Sequence, residues 1–139
     1  MLNLQRILAI ILICISSQVL SEEKYQPNTG DQGLDAALQQ INLRHQKKQK
    51  RFINITANEF QVQAEKVAEL FTHYEFTAAD VLMTLSIADV TGQPVNNVSR
   101  AYFENKKSGW KYVLNQLNIN AYSRELKRIK KDAELEFIK

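Results

Sequence analysis

The sequence predicts an all-α fold: a compact bundle of five or six short helices with a helix-turn-helix-like central pair. Three observations predict it. Apolar residues recur at spacings of three and four through most of the chain. Four Gly and two Pro punctuate 139 residues, too few for a turn-rich all-β fold. Thr56 to Glu59 has the spacing of a helix-opening capping box, and Thr77 to Asp80 repeats it with Asp in place of Glu. The length suits one domain, and an apolar content of 45% is that of a globular chain rather than a disordered one.

Residues 1–21 read as an export signal. Arg6 is the single charge, Ile7 to Ile15 is an unbroken apolar run, and Val19 and Ser21 sit at the small-residue exit positions. Cleavage is expected after Ser21. An uncleaved anchor is disfavoured because the apolar run is shorter than the roughly 20 residues a span needs. Lipidation at Cys14 is disfavoured because bulky Ile13 precedes it. The mature chain then has about 118 residues and no Cys, which removes disulfides and cysteine zinc sites. Its net charge falls from +3 to +2 as Arg6 is lost.

Residues 22–33 carry a Pro, two Gly and few large apolar groups, and read as a flexible entry segment before a single helical domain at 34–139. The first helix begins near Asp31 and buries Leu34, Leu38 and Ile41. It runs into Arg44 to Arg51, a stretch without apolar residues that reads as a solvated helix end or linker. Residues 52–57 are short and β-branched, and read as an extended connection. A second helix is expected from the Thr56 box onward, with Phe60, Ala64, Val67, Phe71 and Tyr74 as one stripe.

The third helix, about 78–90, is apolar nearly all round and should be the buried centre, ended by Gly92. Pro94 opens the fourth, whose inner face is Val95, Val98, Ala101 and Tyr102. Ser108-Gly109 closes it. A short fifth helix carries Trp110, Val113, Leu114 and Leu117. A sixth, from about Ala121 to the end, has Leu126, Ile129, Ala133 and Phe137 as its stripe. The expected core is Leu85, Ala88, Val98, Tyr102, Trp110, Leu114 and Leu117, with the Trp110 indole N–H at the core's edge.

Charge is segregated. Residues 59–104 hold seven acids against Lys66 and Arg100, while residues 105–139 hold nine bases against four acids. Opposite blocks of this size attract each other within a fold or across a dimer. The basic side of the last helix, Arg124, Lys127, Arg128, Lys130 and Lys131, is the candidate face for a protein or an anionic surface.

Ala88, Gly92 and Val98 have the spacing that lets two helices cross in a helix-turn-helix. Asn96, Asn97, Ser99 and Arg100 would begin its second helix. Only Arg100 there is basic, against Asp80, Asp89 and Glu104. DNA affinity comes mostly from phosphate neutralisation, so a packing role is expected and no nucleic-acid partner.

Residues 104–119 contain Gly109-Trp110, an apolar helix, and Leu117-Asn118-Ile119. This resembles the "Gly-Trp, then apolar helix, then Leu-x-Ile" module of small exported bacterial proteins. Lys111 and Asn118 stand where that module often has Gly. The resemblance, over about residues 78–120, implies a compact helical domain and carries over no functional residue.

Catalytic chemistry is sparse. His73 follows Glu69 by four residues, half a metal site at most. There is no thiol nucleophile in the mature chain, no serine elbow and no phosphate loop. Neither an enzyme nor a cofactor is expected. Asn54 and Asn97 begin N-glycosylation sequons that matter only in a eukaryotic secretory route. The sequence thus points to an exported, periplasmic or secreted helical binding protein that binds a protein or anionic partner. The alternative is a helix-turn-helix nucleic-acid-binding protein that keeps its N-terminus.

Overall fold

The computed structural model describes residues 24–138. The expected signal segment 1–21 and its cleavage site lie outside them. The described chain is all helical: α1 (Gln32–His45), α2 (Gln49–Phe60), α3 (Ala64–Thr72), α4 (Ala78–Thr91), α5 (Val95–Glu104), α6 (Trp110–Gln116) and α7 (Arg124–Ile138). A 3-10 turn, Lys106–Ser108, links α5 to α6. Among the described residues no helix is long and apolar enough to cross a membrane.

Helix α4 is the axis. Every residue from Ala78 to Ala88 is buried, and α1, α2, α3, α5 and α7 all pack on it. Its start is fixed by a full capping box: the Thr77 hydroxyl accepts from Asp80 N–H, and the Asp80 carboxylate accepts from Thr77 N–H. Gly92 ends it at φ 69°, the left-handed geometry that costs Gly least. At the α1 start, the Asp31 side chain accepts from Leu34 N–H. Leu34, Leu38 and Ile41 are buried, and Ser123 Oγ accepts from Leu126 N–H to open α7.

Among the described residues seven α-helices stand where five or six were expected, because the segment expected to hold the second helix and its approach forms two. Residues 52–57 are helical, not extended, and Thr56 opens nothing. Phe52, Thr56 and Ala57 lie at i, i+4 and i+5, so a helix buries all three. That packing outweighs the small helix penalty of β-branched residues. The Thr56 hydroxyl instead donates to Phe52 O at 2.8 Å. The chain breaks at Gln61, which is left-handed at φ 53°, with Val62 N–H donating to Ala57 O. The stripe from Phe60 to Tyr74 is therefore shared between α2 and α3.

Residues 24–30, within the 22–33 segment expected as a flexible entry, form an irregular strap packed on the bundle. Pro27 O and Asn28 O accept from Trp110 N–H and Lys111 N–H at 2.9 and 2.8 Å. The strap thus satisfies two otherwise unpaired donors at the α6 N-terminus. Thr29 donates to the Asp35 carboxylate through both N–H and hydroxyl. Gly109 permits this approach. It sits at φ +70°, and a Cβ there would lie 2.5 Å from Asn28 Cβ.

Of the expected core, Leu85, Ala88, Val98, Tyr102, Trp110 and Leu114 are buried. Leu117 is only half-buried, since α6 ends at Gln116 and Ile119 turns in to fill that place. The Trp110 indole is not at the edge: it is fully enclosed.

Candidate functional site

Two buried polar clusters and one open groove carry the chemistry of the described residues. The first cluster centres on Asp80, buried near the start of α4. Its Oδ1 accepts from the Tyr25 hydroxyl at 2.8 Å and from the Trp110 indole N–H at 3.0 Å. Its Oδ2 accepts from Thr77 N–H, and the Tyr102 phenol lies close enough to feel its charge. Tyr102 stacks on Trp110 with centroids 3.8 Å apart and planes 6° apart. Burial, then the Asp80 charge, push both phenols up, so Tyr25 and Tyr102 stay protonated as donors. Both carboxylate oxygens thus accept from protein donors. This cluster fastens strap, α4, α5 and α6 together.

The second cluster joins the end of α1 to the end of α7. His45 Nε2 lies 3.3 Å from Glu136 Oε1, both side chains being almost fully enclosed. Phe52 packs on the imidazole at 4.7 Å. Burial first, then Arg44, Lys48 and Arg51, lower the His45 pKa and favour the neutral ring. His45 Nδ1 finds no hydrogen-bond partner among the described residues. The run Arg44 to Arg51, expected to be solvated throughout, thus turns one residue inward. Its bases remain outside.

The groove, about 630 Å³, lies beside the second half of α1. Phe71, Phe76 and Ala78 supply its apolar side, and Lys24 and Tyr25 of the strap close one end. Along α1 and the start of α2, Gln39, Gln40, Asn42, Gln46 and Gln49 supply carboxamides. Asn42 Oδ1 accepts from Ala79 N–H at 2.7 Å, while its Nδ2 is enclosed without a partner. Leu43 stands at the lip with 68% of its surface exposed, whereas Leu34, Leu38 and Ile41 of the same helix are at 1% or less. Among the described residues no carboxylate lines the groove. Lys47, Lys48, Lys50 and Arg51 are exposed at the adjoining α1–α2 corner. Residues 36–58 carry five bases and no acid.

The face expected on α7 is only partly available. Arg128 pairs with Asp89 at 3.6 Å and Asp132 at 3.4 Å, and Lys130 pairs with Asp31 at 2.9 Å. These contacts hold α7 against α4 and α1, and Arg128–Asp89 joins the basic and acidic blocks. Arg124, Lys127 and Lys131 are exposed at i, i+3 and i+7 on the side opposite the core. Sequence reasoning missed the groove. Its signal was the amide-rich, acid-free stretch Gln39 to Gln49 with Leu43 off the apolar stripe.

The other candidates stay apart. Glu69 pairs with Lys66 at 3.0 Å, and His73 packs edge-on against Tyr74. Among the described residues no group of three or more His, Cys, Asp or Glu is placed to hold a metal. The helix-turn-helix-like pair forms as α4 and α5, with Asn96, Asn97 and Arg100 exposed on α5. Ser99 is buried, its hydroxyl donating to Val95 O at 2.9 Å. Asn54 and Asn97 are exposed, but the hydroxyls of both sequons bond to their own helices. Compared with protein-family models, curated proteins and solved structures, the chain matches none of them.

Proposed function

We propose that this chain is a small exported helical protein, periplasmic or secreted, that acts by binding an anionic partner rather than by catalysis. The observation that carries the reading is the α1–α2 corner: four exposed bases next to an open groove whose lining, among the described residues, holds no carboxylate. Such an arrangement raises the local concentration of anions and speeds their association. The exposed Arg124, Lys127 and Lys131 extend the positive field on another side of the molecule. Against catalysis stands the coordination of Asp80, whose oxygens already accept from protein donors.

Cell fractionation with N-terminal sequencing tests the export half of the reading. A native chain beginning at Glu22 outside the cytoplasm is expected. Cytoplasmic protein with Met1 intact contradicts it. Poly-L-glutamate tests the other half. Binding that weakens steeply between 50 and 200 mM salt is expected, and no binding at low salt contradicts it. The α4–Gly92–α5 geometry favours a second reading, a nucleic-acid-binding protein with an uncleaved N-terminus. Cytoplasmic location together with salt-sensitive DNA affinity lost on Arg100→Glu would support that one.

A further inference from the structure

We propose that the groove beside α1 docks an extended acidic peptide segment of a partner protein, with apolar side chains as its anchors. This rests on the anionic-partner reading and names the ligand class and the place.

Three features select a peptide. The groove wall is rich in carboxamides. Gln40, Gln46 and Gln49 are exposed along it, with Gln39 beside them. Carboxamides match the alternating N–H and C=O groups of an extended main chain. A hydrocarbon chain would desolvate the same groups without replacing their hydrogen bonds, at about 1–3 kcal/mol each. The apolar surface is discontinuous: Phe71 and Phe76 on one side, protruding Leu43 on the other. That pattern seats separate side chains. The groove face from Gln39 to Gln46 is about 10 Å of helix, the length of roughly three extended residues.

Charge selects the sign. No acid lies between Asp35 and Glu59, and Lys24 stands in the lining with Lys47, Lys48 and Lys50 at the rim. The exposed bases at the rim repel a basic peptide. A flat bilayer would touch the corner but leave the concave, amide-lined wall unpaired.

The test uses the native purified protein and a displayed library of random heptapeptides. Selected peptides are remade with a fluorescent label and measured by anisotropy. We expect Asp or Glu interspersed with Leu, Phe or Ile. We expect Leu43→Asp and the double variant Lys47→Glu/Lys48→Glu each to weaken binding at least about tenfold, as an anchor contact does. Lys127→Glu/Lys131→Glu should leave it within about twofold, because those bases lie away from the groove. All three variants change exposed residues, and unchanged thermal unfolding confirms their folding. Serine in place of the apolar residues should cost at least about tenfold. Equal affinity for the serine version overturns the docking inference while leaving simple anion binding intact. Selection of neutral or basic peptides overturns it. So does Leu43-dependent binding to phosphatidylglycerol vesicles in preference to the peptides, or self-association through this face.

Discussion

Gly109 and Asp80 show how single residues hold the amino-terminal strap to the bundle. At Gly109 a left-handed backbone coincides with a close approach, since any Cβ would press on Asn28 Cβ at 2.5 Å and Pro27 O at 2.9 Å. Gly109→Ala should therefore lower stability by about 2–4 kcal/mol, combining backbone strain with displacement of the strap. Urea unfolding followed by Trp110 fluorescence measures it. A change below about 0.5 kcal/mol would mean the strap is not held there. Asp80 fastens the same strap from the other side. Tyr25→Phe removes one donor to a buried carboxylate and little else, so a loss of about 1–3 kcal/mol is expected. The amides of Trp110 and Lys111, which donate to the strap carbonyls, should then exchange with solvent faster. Unchanged exchange would show that the strap stays in place without the Tyr25–Asp80 bond.

At the scale of elements, the legible helices are those whose local signals agree with their packing. In α4 the Thr77 box, the all-round apolar face and Gly92 all specify the same limits, and the helix runs as expected. In α2 they disagree. Ile53, Ile55 and Thr56 favour a strand locally, and only the placement of Phe52, Thr56 and Ala57 against the core makes the segment helical. A one-dimensional pattern cannot show a core assembled from distant helices. The same limit hid the groove. Its walls come from the strap, α1, α2 and residues 71–78, four stretches whose convergence no spacing reveals. It hid His45 as well, because the partner that draws it inward lies 91 positions away in Glu136.

The α1–α7 junction has a pH signature that follows from this burial. His45 in the folded chain has a pKa below the usual 6.5, so the unfolded chain binds the proton more readily. Stability should fall as pH drops below about 6.5, until the folded-state pKa is passed. Asp31 adds a second decline. Leu34 N–H first, then Lys130, hold its carboxyl below 3.8, and that stabilisation is lost as pH falls from there. Urea midpoints between pH 7.5 and about 2.5 separate the two, the His45 decline above and the Asp31 decline below. His45→Gln should flatten the upper part of the decline. An unchanged slope in that variant would show that His45 does not titrate differently on folding.

At the scale of the whole molecule, segregated charge divides between holding the fold and facing solvent. Arg128 and Lys130 turn part of the C-terminal basicity inward, onto Asp89, Asp132 and Asp31. The Arg128–Asp89 pair is exposed on both sides and contributes about 0–1 kcal/mol, so it orients α7 more than it stabilises it. Among the exposed bases, Arg124, Lys127 and Lys131 form one group on α7, Lys106, Lys107 and Lys111 another around the α5–α6 link, and Lys47 to Arg51 a third at the α1–α2 corner. The corner adjoins a concave surface with apolar and amide walls, and the α7 face is a convex helix side. Concave sites with a few polar groups are where ligands bind.

The most direct measurement is a map of backbone amide shifts in the ¹⁵N-labelled protein titrated with poly-L-glutamate at low salt. The account predicts that the shifts concentrate at residues 39–51 and 71–78, with lesser changes at Arg124, Lys127 and Lys131. Shifts confined to α7, or spread evenly over every exposed base, would contradict it.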